Sequence, residues 1–161
     1  MAGRIKAGEG TLIGNAGEHY VIAELLKRGV AAAPTPRNTP GIDILAAFNT
    51  KTVRIRVKTK SGQYTDWQWV AKEDDSIFRN LSPTGDFIVL VNMTDNIQNM
   101  EFFILPTSRV NDWLQDGFKK WVSTPGKNGR PHNPSNRKRH LNYPEFKNHL
   151  ERFRDWSILW K

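Results

Sequence analysis

Glu18, Asp43 and Lys58 are residues of the types that phosphodiester hydrolysis requires. Metal-assisted cleavage needs carboxylates to hold Mg²⁺, which prefers oxygen ligands. The bound ion activates water and offsets developing charge. A neighbouring lysine can orient or deprotonate that water, or stabilise the transition state. Asp43 and Lys58 fall in the stretch 41–60, GIDILAAFNTKTVRIRVKTK, which reads as two short strands joined by a turn at Asn49-Thr50. A turn at that midpoint predicts residues 43 and 58 abreast at the open end of the hairpin. Each residue also has a plainer reading. Asp43 could be a turn-edge acid bonded to Asn38 or Thr39, and Lys58 one of four cations on a solvated strand face. Glu18 could simply complement a helix dipole. Their combination, at strand-to-strand spacing behind a helix, favours the chemical reading.

The elements that must position them follow from periodicity. In the second strand Val53, Ile55 and Val57 point one way, and Arg54, Arg56, Lys58 and Lys60 the other. This predicts one face on a core and a cationic face meeting solvent or an anion. Before the hairpin, residues 1–10 read as a loose arm and 14–28 as an amphipathic helix stopped by Gly29. Residues 30–33 form a short edge strand, ended by Pro34 and Pro36.

After the hairpin, a strand within 63–70 carries Trp67 and Trp69, and 72–81 is a loop or helical turn. DFIVLVN at 86–92 suits a central strand buried on both faces, with 101–105 as its neighbour. Ser108 is placed to cap a helix over 109–121. Residues 123–142 read as a basic loop bearing Lys127, Arg130, Arg137, Lys138 and Arg139. A last helix over 144–155 turns Phe146, Leu150 and Phe153 inward, and Trp156, Leu159 and Trp160 dock the end. The sum is a single α+β or α/β domain over 1–161, with a mixed sheet flanked by helices.

Composition narrows the classes. The 161 residues carry a formal net charge of +8, which favours an anionic partner, and nucleic acid is the commonest. The chain has no cysteine, which excludes disulfides and cysteine zinc sites. The four histidines are scattered, no glycine loop for nucleotide phosphates occurs, and no nucleophile elbow is present. No apolar run approaches a membrane span, and MAGRIKAGEG lacks the apolar core of a signal peptide. A cytoplasmic protein without membrane attachment is the expectation.

GNAGEHYVIAELLKRG, GIDIL and RIRVKTKSG together resemble the PD-(D/E)XK, restriction-endonuclease-like nuclease superfamily, in its small single-domain branch. EFFILPTSRV is similar to that branch's strand-then-helix segment. GKNGRPHNPSNRKRHL followed by FRDWSILW is similar to its closing loop and Trp-bearing C-terminus. The resemblance covers nearly the whole chain and implies an α/β/α sandwich with a central mixed sheet. It makes Asp43 and Glu18 metal ligands with the Val57 carbonyl, Lys58 the catalytic lysine, and Mg²⁺ or Mn²⁺ the cofactor.

Arg56 departs from the pattern, standing where the superfamily has Glu or Gln. A guanidinium keeps its charge, so near the ion it would oppose metal binding. Two outcomes are expected. Arg56 swings out to a phosphate, or it pairs with Asp43 and occupies the metal position.

The implied partner is DNA, or RNA as the other nucleic acid, with Arg54, Arg56, Lys60 and the five cations of the basic loop on the backbone. Trp67 and Trp69 could stack on bases, although at least one is expected in the core. A homodimer is compatible with the sequence. The competing functions are a non-catalytic nucleic-acid-binding protein on the same fold, and a protein whose basic surface meets an acidic protein.

Overall fold

The structure is a computed structural model that describes residues 9–161. The expected arm at 1–10 falls mostly outside the described residues, and Glu9 and Gly10 already belong to a helix. That helix, α1 (Glu9–Lys27), starts earlier than the predicted residue 14. It ends as the sequence indicates. Gly29 takes φ +77°, and the Val30 N–H donates to the Leu25 carbonyl at 3.0 Å. Only a residue free of a Cβ adopts that conformation readily.

The central sheet contains β1 (Ala31–Pro34), β2 (Ile44–Phe48), β3 (Lys51–Ser61), β5 (Asp86–Met93) and β6 (Glu101–Pro106), in the order β1-β2-β3-β5-β6. β3 and β5 run parallel, and the other pairs are antiparallel, so the sheet is mixed. A separate two-stranded ribbon pairs β4 (Asp66–Val70) with β7 (Lys138–Asn142). The helices α2 (Thr107–Ser123) and α3 (Tyr143–Leu150) follow β6 and β7.

β5 is buried almost throughout, as its apolar run demands. One sheet face carries Val53, Ile55, Val89 and Ile104 under α1 (Val21, Leu25), with Leu159 of the C-terminal segment closing it. The other carries Ile88, Leu90, Phe103 and Leu105 under the ribbon (Trp67, Leu141), α2 (Val110, Leu114) and Leu150. Layers of helix, sheet, and helix with ribbon result. Among the described residues no helix is long and apolar enough to cross a membrane.

Several expectations are corrected. The cationic face of β3 is largely withdrawn from solvent: Arg56 is 6% exposed beside Phe78 and Asp86, Lys60 is 5% exposed beside Trp67 of the ribbon, and Arg54 and Lys58 are half-buried. The segment 123–142 is not wholly loop, since its last five residues form β7. Helix α2 begins at Thr107, and no side chain caps it at Pro106; Thr107 is buried and donates to Asp86. The hairpin register pairs Ile44 with Ile55. Extending it one step sets Asp43 beside Arg56, with Lys58 two residues further along β3.

Candidate active site

Asp43 sits where the chain enters β2. The Gly41 φ of +72° turns the backbone in, and a Cβ there would lie 2.5 Å from Arg56 Nη1, so only glycine fits. The Asp43 N–H donates to the Ile55 carbonyl at 3.0 Å, and the Asp43 carbonyl accepts from the Thr35 N–H at 2.9 Å. The Asp43 carboxylate accepts from the Val57 N–H through Oδ2 at 2.7 Å. It thus takes the place of a strand partner just before the start of β2. The turn-edge reading fails: Asn38 and Thr39 are not its partners among the described residues.

Glu18 reaches the same place from α1. The two carboxylates line one cleft of ≈ 600 Å³ with Asn15, His19, Thr35 and Arg37. α1 lies close against β3 because residue 17 is glycine. A Cβ on Gly17 would stand 1.8 Å from Thr59 Oγ1. Burial, and then the charge of Asp43, push the Glu18 carboxyl above its ordinary range. Burial also raises Asp43, against the pull of the Val57 N–H and the charges of Arg56 and Lys58.

Lys58 is half-buried, with Nζ 5.3 Å from the centre of the Trp69 ring. Burial lowers its pKa, opposed by the charge of Asp43. Glu18 and Lys58 therefore each feel the charge of Asp43. Trp67 is 1% exposed and cannot stack on a base, as expected of at least one of the pair.

Arg56 follows neither expected course. It turns along the sheet to Asp86 at the start of β5. Nε and Nη2 donate to the two carboxylate oxygens at 3.0 and 2.9 Å, and Nη2 also donates to the Arg79 carbonyl at 2.8 Å. Thr107 Oγ1, at 2.6 Å, and the Ser82 N–H, at 3.1 Å, complete the shell of Asp86. Burial alone would raise the Asp86 carboxyl, but these donors hold it below its ordinary range. The cation is thus compensated away from Asp43, and Arg56 is not available to a phosphate. Asp86 was legible only as an acid opening an otherwise apolar strand.

Two other expected phosphate contacts are corrected on the same ground. Lys60 donates to Asn92 Oδ1 at 2.6 Å and to the Tyr64 carbonyl at 2.9 Å beneath the ribbon. Arg139 is 1% exposed, stacked 3.4 Å over the Phe118 ring and paired with Asp75 at 3.3 Å. Arg54 is half-buried, 3.9 Å from Asp86. Lys127, Arg130, Arg137 and Lys138 are exposed or partly exposed.

Among the described residues, no group of three or more histidines and acids gathers to hold a metal, and neither Glu18 nor Asp43 makes an ion pair within 4.0 Å. Two carboxylates in one cleft, neither in such an ion pair among the described residues, offer oxygen donors of the kind a hard divalent cation takes.

No family model matches the chain, and no curated protein matches it. Solved structures do. Hjc of Archaeoglobus fulgidus, a Holliday junction resolvase from an archaeal hyperthermophile, aligns over 91% of this chain and 93% of its own, with a TM-score of 0.50 at 13% identity. The fold is restriction-endonuclease-like. A bacterial homing endonuclease, I-Ssp6803I, aligns with a TM-score of 0.43 at 17% identity, over 62% of this chain and 66%, just under two thirds, of that one. In this chain Asp43 directly precedes β2 and Lys58 lies on β3.

Proposed function

We propose that this protein is a DNA-binding, divalent-metal-dependent endonuclease acting on phosphodiester bonds. The observation that carries the reading is that Glu18 and Asp43 line one cleft, with Lys58 close enough to feel the Asp43 charge. Glu18 and Asp43 would hold one Mg²⁺ or Mn²⁺, with the carbonyl of Val57, the residue on which Asp43 rests, as a third oxygen. When bound, such an ion supplies an activated water and Lewis acidity toward the phosphate. Asp43 is the fixed member, locked to β3 by the Val57 N–H. Glu18 is carried in by the close packing of α1 on Thr59. Lys58, half-buried and lowered in pKa, is suited to orient or accept a proton from the attacking water.

Arg54, Lys127, Arg130, Arg137 and Lys138 would follow the backbone, and the net charge of +8 supports DNA as the partner. One central sheet cored on both faces supports treating the chain as one domain. A cysteine-free chain suits a reducing compartment such as the cytoplasm.

One observation favours a second reading, a nucleic-acid-binding protein without catalysis: the site has two acids rather than three, because Arg56 occupies the third position and is committed to Asp86. Lys58→Ala and Asp43→Ala separate the two. The nuclease reading expects Mn²⁺-dependent nicking of plasmid DNA by the wild type. It expects a loss of about 100-fold or more in Lys58→Ala, with duplex binding retained, and loss of Mn²⁺ heat in Asp43→Ala by calorimetry. Duplex binding without nicking in the wild type supports the second reading. Absence of binding to any nucleic acid sinks both.

A further inference from the structure

Helix α2 runs on beyond the core. Val110 and Leu114 are buried, but the same face continues through Trp113, Gly117, Phe118 and Trp121, which line a cavity of ≈ 380 Å³ closed by β7 and α3. The volume falls in the roughly 300–1,000 Å³ range of small-ligand sites. Its floor is aromatic. Phe118 and Trp121 stack at 5.8 Å and 26°, and Trp121 stacks on His132 at 4.0 Å and 8°. Trp121 stays 37% exposed. Its rim includes Lys138 and His140 from the outward side of the ribbon, together with the carboxylates of Asp66, 3.4 Å from His140, and Glu145.

Gly117 is unexplained by packing. Glycine inside a helix costs about 1 kcal/mol relative to alanine. Gly17 and Gly41 are required by a neighbour too close for a Cβ, whereas a Cβ on Gly117 meets no atom within 4 Å. The residue leaves space between Trp113 and Trp121 at a cost the fold does not demand. The cations nearby are also held in place. His132 Nδ1 donates to the Trp121 carbonyl at 2.6 Å, which fastens the loop bearing Lys127 and Arg130 to the edge of the cavity.

Aromatic side chains with exposed cations nearby are how proteins take unpaired nucleotides: the base packs among the rings, here beside the partly exposed Trp121, and the phosphates meet the cations. A base inside a duplex offers no free face. We propose that this cavity is a subsite for an unpaired nucleobase, so that the preferred substrate class is DNA with a single-stranded segment, bulge or frayed end. The choice of nucleic acid as ligand rests on the proposed nuclease reading; the cavity and its chemistry do not.

Gly117→Leu tests it by filling the cavity from a position with room for the side chain and with a better helix former. Gly117→Ala is the control, and Trp121→Ala a second variant. The probes are a short duplex and the same duplex with one unpaired 2-aminopurine, both at fixed salt in Ca²⁺ to suppress cleavage. The wild type and Gly117→Ala are expected to bind the bulged probe at least 10-fold more tightly and to quench its fluorescence. Gly117→Leu and Trp121→Ala should lose both effects while binding the duplex unchanged.

Equal affinity of the wild type for the two probes overturns the subsite, as does a preference untouched by Gly117→Leu. Mn²⁺ calorimetry on Asp43 reports the nuclease site separately. Metal binding without bulge preference removes the subsite alone. Leu-sensitive bulge preference without metal binding leaves the subsite standing and removes the nuclease.

Discussion

At the scale of single residues, charge compensation decides what each group of the site can do. Arg56 and Asp86 form a bidentate pair in which Asp86 is 4% and Arg56 6% exposed. Breaking a buried pair from one side strands the other charge. Arg56→Gln should therefore destabilise the protein by about 3 kcal/mol, measured by urea unfolding. Arg56→Glu should be worse, since it sets a second carboxylate beside Asp86. A stable Arg56→Glu variant with improved Mn²⁺ binding would show that the pair with Asp86 is dispensable.

Glu18 behaves oppositely. Burial and the Asp43 charge raise its folded pKa, so its proton is held more tightly in the folded chain than in the unfolded one. Its contribution to stability is present below the ordinary carboxylate range and is lost as pH rises through the raised value. Glu18→Gln should therefore be more stable than the wild type at pH 7, by about 0.5 kcal/mol after allowance for solvent screening. The difference should vanish in acid. Thermal melts across pH read this directly, and a neutral-pH loss of stability in Glu18→Gln would contradict it.

At the scale of elements, the site exists because α1 can approach β3. The close approach of Gly17 to Thr59 sets that distance. Gly17→Ala cannot be accommodated without a shift of the helix and should cost about 1–3 kcal/mol, as overpacking does. It should also weaken Mn²⁺ binding, because Glu18 is the next residue. Thr59→Ala removes Oγ1 from the clash and should restore part of both losses, so a double-mutant cycle exposes the coupling. Additive losses would mean that Gly17 serves something other than this approach.

The ribbon is the second deciding element. It pairs Trp69 with Arg139 and Trp67 with Leu141, and it lays Trp69 and Trp67 against Lys58 and Lys60 of β3. It also sets Trp69 over Lys58, whose half-burial lowers its pKa.

At the scale of the whole molecule, cations divide into structural and available ones. Arg56, Lys60 and Arg139 are used internally, and Lys127, Arg130, Arg137 and Lys138 remain at the surface. Duplex affinity should fall linearly on a log–log plot against salt. Reversing the charge of Lys127 or Lys138 should lower that slope by about 1 for each phosphate left without its cation, whereas Lys60→Gln should act on stability instead. Anisotropy titrations at several salt concentrations check both, and a slope unaffected by Lys127 and Lys138 would move the DNA path elsewhere on the surface.

The amino-acid order alone determined the local pieces: the β2–β3 hairpin around Asn49, the stop of α1 at Gly29, the buried β5, the edge strand β1 and the docking of Leu159. These follow from short-range periodicity and backbone conformational limits, which act between near neighbours. It also placed Asp43 and Lys58 on the two sides of one hairpin, although the register sets Asp43 beside Arg56 rather than Lys58.

Only the tertiary structure decided what covers the cationic face of β3, since the covering ribbon joins Asp66 to Asn142, far apart in the chain. It alone decided the fate of Arg56, whose partner Asp86 lies thirty residues on. Alternation tells which side of a strand a residue faces. Whether that side is wet, and which distant charge answers a buried one, depends on long-range packing.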